Sequence, residues 1–150
     1  MENKICFLFG HATCPDDILP KLAFAIQQCY AEGIRDFYVG HRGNFDRLAA
    51  LAIKAVKQEH PDVRLYLLLA YHPGEQAVPL TSGFDGSYYP PLTNVPRAYA
   101  IIRANQYMAE QADALICYAN HPGNARNLLE YARRRKKSEA AIYNLVFGVM

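Results

Sequence analysis

The chain has 150 residues, of which 51% are hydrophobic and 20% are charged, and its formal net charge is +2. This length is sufficient for one domain with a full core, and the composition is typical of a globular protein. The weak net charge argues against a broad nucleic-acid-binding surface. Neither a signal-peptide pattern nor an apolar stretch of membrane-spanning length occurs, so we expect a cytoplasmic protein that does not contact a membrane.

Short apolar runs alternate along the chain with segments of helical periodicity. The runs predict five strands, at residues 4–9, 35–39, 63–70, 114–119 and 140–146. The segments between them predict four helices, at residues 15–32, 45–59, 97–112 and 124–137. The second of these helices is the clearest, because apolar side chains recur on one stripe from Phe45 to Val56 and Asn44 is a suitable N-cap.

Strands that alternate with helices predict βαβ units and a mainly parallel sheet. We therefore expect an α/β fold with a Rossmann-like three-layer α/β/α arrangement, in which five strands have the order 3-2-1-4-5. In this order the ends of the first and fourth predicted strands meet where the strand order reverses, which is where ligands bind in open α/β sheets. Residues 72–97, rich in proline, glycine and tyrosine, predict a functional loop.

Four of the predicted strands end in a histidine beside a glycine or a proline: His11, His41, His72 and His121. Because parallel strands end at one edge of the sheet, this edge is the candidate ligand site. Converging imidazoles could bind zinc. Adjacent strands are about 4.8 Å apart, however, so the loops after four strands are too widely spaced to share one metal ion, and no HxxxH spacing is present. We predict no metal and no cofactor.

Three loops at this edge carry the candidate ligand-binding residues. The loop after the first strand contributes Gly10, His11 and Thr13. The loop after the second strand and the helix start that follows it contribute Gly40, Arg42, Gly43, Asn44 and Asp46. The loop after the fourth strand and its helix contribute Pro122, Gly123, Asn124 and Asn127. Helix N-termini favour anions such as phosphate, and an arginine can bind phosphate with two parallel hydrogen bonds.

Each of these features also has a purely structural interpretation. Thr13 can be an ordinary helix cap, and the glycines beside Arg42 can serve only a tight connection. Glu130 can belong to a surface charge ladder with arginines four residues to either side. Cys14 lies in the first loop and is a candidate reactive thiol, whereas the other three cysteines are expected in the core. The basic run 133–137 is either the end of a helix or a phosphate-binding patch.

Several motifs follow one another in a fixed order. They are Phe9-Gly10-His11, Phe37-Tyr38-Val39-Gly40 with Phe45-Asp46, Tyr71-His72-Pro73-Gly74, Val95-Pro96-Arg97, Arg103-Ala104-Asn105, Met108 and the run from Gln111 to Tyr118. In their order and spacing the chain resembles the SLOG superfamily, which includes the DNA-processing Smf proteins and the "lonely guy" phosphoribohydrolases. The resemblance is closest to the small stand-alone bacterial members.

This resemblance implies a single nucleotide-binding domain over residues 1–150. Its ligand would be a nucleotide or a molecule derived from NAD or ADP-ribose, bound at the carboxyl edge of the sheet by a sensing or regulatory module. The phosphate would lie at the helix starts 43–46 and 123–127, with charge from Arg42 and Arg103, and Arg97 is a further candidate ligand-binding residue. Tyr88 and Tyr89, in the loop 72–97, could close over a base by stacking. Superfamily members often form dimers, so a homodimer is left open.

The phosphoribohydrolase branch carries the motif Pro-Gly-Gly-x-Gly-Thr-x-x-Glu, in which the glutamate is catalytic. Pro122, Gly123 and Glu130 match it, whereas two glycines and the threonine are replaced by Asn124, Arg126 and Asn127. The arginine that this branch carries four residues before its methionine falls at Ala104 here. Arg103 stands one residue away, about 100° around a helix.

Whether the protein is an enzyme is therefore left open. The alternative function is hydrolysis of the N-glycosidic bond of a nucleoside 5′-monophosphate, with Glu130 as the catalytic carboxylate and Arg103 or Arg97 assisting. A second alternative is a nucleic-acid-binding protein that uses residues 133–137, although we do not expect nucleic acid to be the main partner.

Overall fold

Strands and helices alternate through the part of the chain that the computed structural model describes, residues 3–135 and 137–147. The strands are β1 (Ile5–Gly10), β2 (Asp36–Val39), β3 (Arg64–Leu68), β4 (Gly86–Tyr88), β5 (Ala114–Tyr118) and β6 (Ile142–Asn144). The helices are α1 (Leu19–Ala31), α2 (Asn44–Glu59), α3 (Ala100–Gln111) and α4 (Asn124–Arg134). Short 3-10 turns precede α1 and α3 and flank β6.

The described strands form one all-parallel sheet in the order β4-β3-β2-β1-β5-β6. The α/β class and the parallel sheet are confirmed. The predicted strand count of five is wrong, and the predicted order 3-2-1-4-5 differs from the observed one because a sixth strand extends the sheet beyond β3.

The additional strand, β4, lies inside the segment 72–97 that the sequence predicts as a loop. It has three residues and begins with a glycine, so it has neither the length nor the periodicity of a strand signal. Its position is fixed by β3 and by Asp85, whose carboxylate accepts the Leu65 N–H at 2.9 Å and pairs with Lys57 Nζ at 2.6 Å. Tertiary contacts therefore create this strand.

Both faces of the sheet are covered, so the fold has three layers. One core lies against α1 and α2 and includes Cys6, Leu8, Phe37, Val39, Leu22 and Phe45. The other lies against α3 and α4 and includes Phe7, Phe9, Leu115, Cys117, Met108 and Leu129. Successive β1 residues alternate between these cores, which explains why a strand buried on both faces reads as a continuous apolar run. The expectation that Cys6, Cys29 and Cys117 are core residues is confirmed.

Several predicted boundaries shift. The helix predicted at 15–32 becomes a 3-10 turn followed by α1, and the strand predicted at 140–146 is reduced to β6. Gly43, in extended conformation, precedes α2, so Asn44 is the first residue of the helix rather than its N-cap. The helix predicted at 124–137 ends at Arg134. Lys136, within the basic run, lies outside the described residues.

The direction in which the chain winds reverses beside β1. From β1 the chain passes through β2 and β3 to the edge strand β4, then returns past β1 to form β5 and β6 on the other side. The loop after β1 therefore leads to a helix on one face, and the loop after β5 leads to a helix on the other. A crevice opens between these loops at the carboxyl edge of the sheet.

Two glycines allow the loops after β1 and β2 to pack closely. A Cβ atom on Gly10 would lie 2.5 Å from the ring of Phe45, and one on Gly43 would lie 2.5 Å from the Cα atom of Ala12. The Asn44 N–H also donates to the Ala12 carbonyl at 2.8 Å. The two loops are thus held together as one wall of the crevice.

We expect Gly43→Ala to lower the free energy of unfolding by about 1–3 kcal/mol, because backbone atoms of Ala12 must move away from the new methyl group. Urea denaturation of both proteins measures the change. Gly86→Ala is the matched control, since a Cβ there would make an ordinary contact of 3.6 Å with Tyr66. Equal losses in the two variants would contradict this account.

Candidate functional site

A cavity of about 320 Å³ opens at the carboxyl edge of the sheet, beside the point where β1 and β5 diverge. Its walls come from β1, the loops after β1 and β2, the end of β3 and the first turns of α2, α3 and α4. We call it the switch-point cavity; its lining is Phe7, Leu8, Phe9, Gly10, His11, Ala12, Gly40, Arg42, Gly43, Asp46, Leu68, Ala70, Ile101, Ala104, Asn105, Asn124 and Ala125. Concave sites of this kind at a switch point suit small-molecule ligands.

The structure brings some of the predicted ligand-binding residues together in this cavity: Gly10, His11, Gly40, Arg42, Gly43, Asp46 and Asn124. Thr13 and Asn44 lie instead at a shallow depression beside Cys14. Arg97 lines a second cavity, described below. The remaining predicted residues line neither cavity: Arg103, Pro122, Gly123, Asn127 and Glu130.

His11 is buried and held by groups from the β5 side of the cavity. Its ring stacks on the ring of His121, with centroids 3.6 Å apart, and its Nε2 accepts the Asn120 N–H at 3.1 Å. Burial and the neighbouring His121 hold the pKa of His11 below its usual value. A neutral ring whose Nε2 accepts a hydrogen bond carries its proton on Nδ1, which makes Nδ1 a hydrogen-bond donor.

Asp46 is the carboxylate of the cavity lining. Its Oδ2 accepts the Arg42 N–H at 2.9 Å, and a Cβ atom on Gly40 would lie 2.9 Å from the same oxygen. Burial raises the pKa of Asp46 to about 6, against the opposing effects of the Arg42 N–H and the Arg42 charge. Such a carboxyl can accept hydroxyl hydrogen bonds and exchange a proton near neutral pH.

Arg42 is exposed, and its guanidinium carbon lies 5.8 Å from the centroid of the Tyr71 ring. Arg97 approaches the same ring from its own cavity, at 4.6 Å. Within the described residues, Arg97 pairs with Glu75, whereas no carboxylate lies within ion-pair distance of Arg42. The positive charge of Arg42 is therefore available to an anion in the switch-point cavity.

Asn44 connects loops rather than facing the cavity. Its amide nitrogen donates to the Cys14 carbonyl at 2.7 Å and to Asp16 at 2.9 Å, and its oxygen accepts from Arg47. Burial and the Asp16 charge raise the pKa of the Cys14 thiol, which disfavours the reactive thiolate. The ligand-binding role of Asn44 stays a prediction.

The residues predicted for catalysis lie outside the cavity. Glu130 is half-exposed on α4, and its carboxylate lies 3.8 Å from Arg126 Nε, four residues earlier. Arg103 bonds to Gln106, while its neighbour Ala104 lines the cavity, in agreement with the rotation between successive helix positions. Catalytic roles for Glu130 and Arg103 stay predictions.

A second cavity of about 330 Å³ adjoins the first, with Ala70 and Ala104 in both linings. We call it the loop cavity; it is lined by Ala70, Tyr71, Glu75, Tyr89, Pro90, Leu92, Asn94, Val95, Arg97, Ala100 and Ala104. Sequence reasoning missed the α3 residues that join the two cavities. The available signal was the helical spacing of Ile101, Ala104 and Asn105 on one face of α3.

Three residues of the basic run contact neighbouring groups: Arg133, Arg135 and Lys137. Arg133 forms two hydrogen bonds with Glu139, Arg135 Nε lies 4.0 Å from Glu110, and Lys137 contacts the Ala112 carbonyl. These partners reduce the charge that the run can offer to a nucleic acid.

In residues 3–135 and 137–147, no group of three histidine, cysteine or acidic side chains is placed to hold a metal ion. His11 and His121 meet because β1 and β5 are adjacent, whereas His41 and His72 follow β2 and β3. None of the described helices combines the length and hydropathy that a membrane span requires.

No protein-family model matches the chain, and no curated protein matches it in sequence. Among solved structures, the chain is similar to the molybdenum cofactor binding protein from the phototrophic bacterium Rippkaea orientalis, with a TM-score of 0.58 and 18% sequence identity. The match covers 91% of this chain and 74% of that chain. At this identity the likeness establishes the fold alone, and membership of the SLOG superfamily stays a prediction.

The half-buried carboxyl of Asp46 predicts a pH-dependent stability. Its pKa is about 6 in the folded protein and 3.8 ordinarily, so the folded state binds more protons between these values. The free energy of unfolding therefore falls as pH rises through this window. We expect Asp46→Asn to lack this fall. Between pH 4 and pH 7, the free energy of unfolding of the variant should therefore rise by about 2 kcal/mol relative to that of wild type.

Urea denaturation of wild type and variant between pH 4 and pH 8 measures this effect. Asp17→Asn, at an exposed acid in the turn before α1, is the matched control for the loss of one carboxylate. Parallel profiles for wild type and Asp46→Asn would show that the carboxyl titrates normally.

Proposed function

We propose that the protein binds a nucleotide-type ligand in the switch-point cavity, as a sensing or regulatory module. The ligand is a nucleoside 5′-monophosphate or a molecule derived from NAD or ADP-ribose. The observation that carries this proposal is Arg42, which lines a cavity at the switch point of the sheet and forms no ion pair with a carboxylate among the described residues.

The chemistry of the lining fits a sugar phosphate. Arg42 can bind phosphate oxygens, and the first turns of α2 and α4 meet the cavity with the positive ends of their helix dipoles. The Asp46 carboxylate accepts hydrogen bonds and repels anions, so it suits the hydroxyl groups of a ribose rather than the phosphate. His11 and Asn124, which also line the cavity, have polar side chains that can form further hydrogen bonds. A nucleotide contains both the anionic and the hydroxyl groups that this combination requires.

The fold comparison supports ligand binding in general terms. The similar solved structure is described as a cofactor-binding protein, so the same fold carries a small molecule elsewhere. The positions of Glu130 and Arg103 outside the cavity favour binding over glycosidic hydrolysis. The ion pairs of Arg133 and Arg135 within the basic run likewise favour a small-molecule ligand over nucleic acid.

Arg42→Ala should weaken the binding of AMP and ADP-ribose by about tenfold or more, because a charged hydrogen bond to phosphate contributes about 1.5–3 kcal/mol. Isothermal titration calorimetry of wild type and variant measures the change. Arg134→Ala is the matched control, because it removes the same charge from an exposed position at the end of α4. Its affinities for AMP and ADP-ribose should equal those of wild type.

Circular dichroism should show that both variants remain folded. Equal affinities of Arg42→Ala and wild type would remove Arg42 from the site. Failure of folded wild-type protein to bind either ligand would overturn the proposed function.

A further inference from the structure

The loop cavity differs in chemistry from the switch-point cavity. Two tyrosines, Tyr71 and Tyr89, line it together with aliphatic residues and with the polar residues Glu75, Asn94 and Arg97. Its arginine, Arg97, already pairs with Glu75 at 2.8 Å, so the two charges largely cancel. A planar base has an aromatic face that can stack on a tyrosine and polar edge atoms that can meet such a mixed lining, whereas the Arg97–Glu75 pair leaves little net positive charge for a second phosphate group.

Tyr89 is the aromatic residue of this lining that can stack on a ligand. It is 40% exposed, and its ring packs edge-on against His72 with centroids 5.5 Å apart. Tyr88 lies in β4 and packs against Tyr38 and Tyr107, so it does not line the cavity. Of the two tyrosines expected to close over a base, only Tyr89 is placed to do so.

The junction between the cavities is formed by alanines. Ala70 follows β3, and Ala104 is buried on the inner face of α3. Because an alanine side chain ends at Cβ, these two residues place little side-chain volume at the boundary between the cavities. Arg42 and Arg97 both approach the ring of Tyr71, which places the two cavities on neighbouring sides of one residue.

We propose that the loop cavity is the base subsite of the ligand: an aromatic base stacks on Tyr89 while the phosphate of the same nucleotide lies at Arg42. This assignment rests on the proposed function. It divides the ligand between the two cavities, with the sugar at the alanine junction beside Asn105, and makes the base a determinant of affinity in addition to the phosphate.

Comparison of AMP with ribose 5-phosphate, which lacks the base, tests this assignment. Wild type should bind AMP about tenfold more tightly, as expected from base–aromatic stacking. Tyr89→Ala should lower AMP affinity by about tenfold and leave ribose 5-phosphate affinity unchanged, whereas Tyr89→Phe should keep AMP affinity. Tyr99→Ala, at an exposed tyrosine that lines neither cavity, is the control and should change neither affinity.

The outcomes separate this inference from the proposed function. Equal affinities of wild type for the two ligands, or equal effects of Tyr89→Ala on both, would overturn the base subsite and leave the phosphate site in place. If neither ligand binds folded wild-type protein, the proposed function fails and the base subsite fails with it.

Discussion

The parallel pairing of β1 with β5 is the constraint on which the rest of the site depends. The Leu8–Ile116 register and the hydrogen bond from the His11 N–H to the Tyr118 carbonyl at 3.2 Å bring the ends of two strands side by side, although they are far apart in sequence. Their following helices then cover opposite faces. The resulting gap cannot be closed by either loop, and it becomes the switch-point cavity.

The close contact between the loops after β1 and β2 determines the electrostatics of that cavity. Gly10 and Gly43 allow the two loops to approach more closely than residues with side chains would permit, and Gly40 leaves room for the Asp46 carboxylate. The same packing removes water from this carboxylate and raises its pKa, while Arg42 remains exposed at the rim. A half-buried acid and an accessible cation are thus products of one backbone arrangement.

The segment between β3 and α3 supplies the second cavity because it is anchored at several points. Asp85 binds Lys57 and the Leu65 N–H, and Lys54 contacts Thr81 and the ring of Phe84. These contacts with α2 and β3 hold a segment that has little regular structure of its own. The aromatic lining can therefore face the same edge of the sheet as the anion-binding groups.

The sequence by itself determined the alternation of strands and helices, the three cysteines of the core and the buried stripe of α2, because these depend on patterns within a few residues. It also indicated the edge of the sheet at which Arg42 and Asp46 lie. Only the tertiary structure decided the presence of β4, the junction at Ala70 and Ala104, and the position of Glu130 outside the cavity. Each of these depends on which distant segments pack together, which local periodicity does not encode.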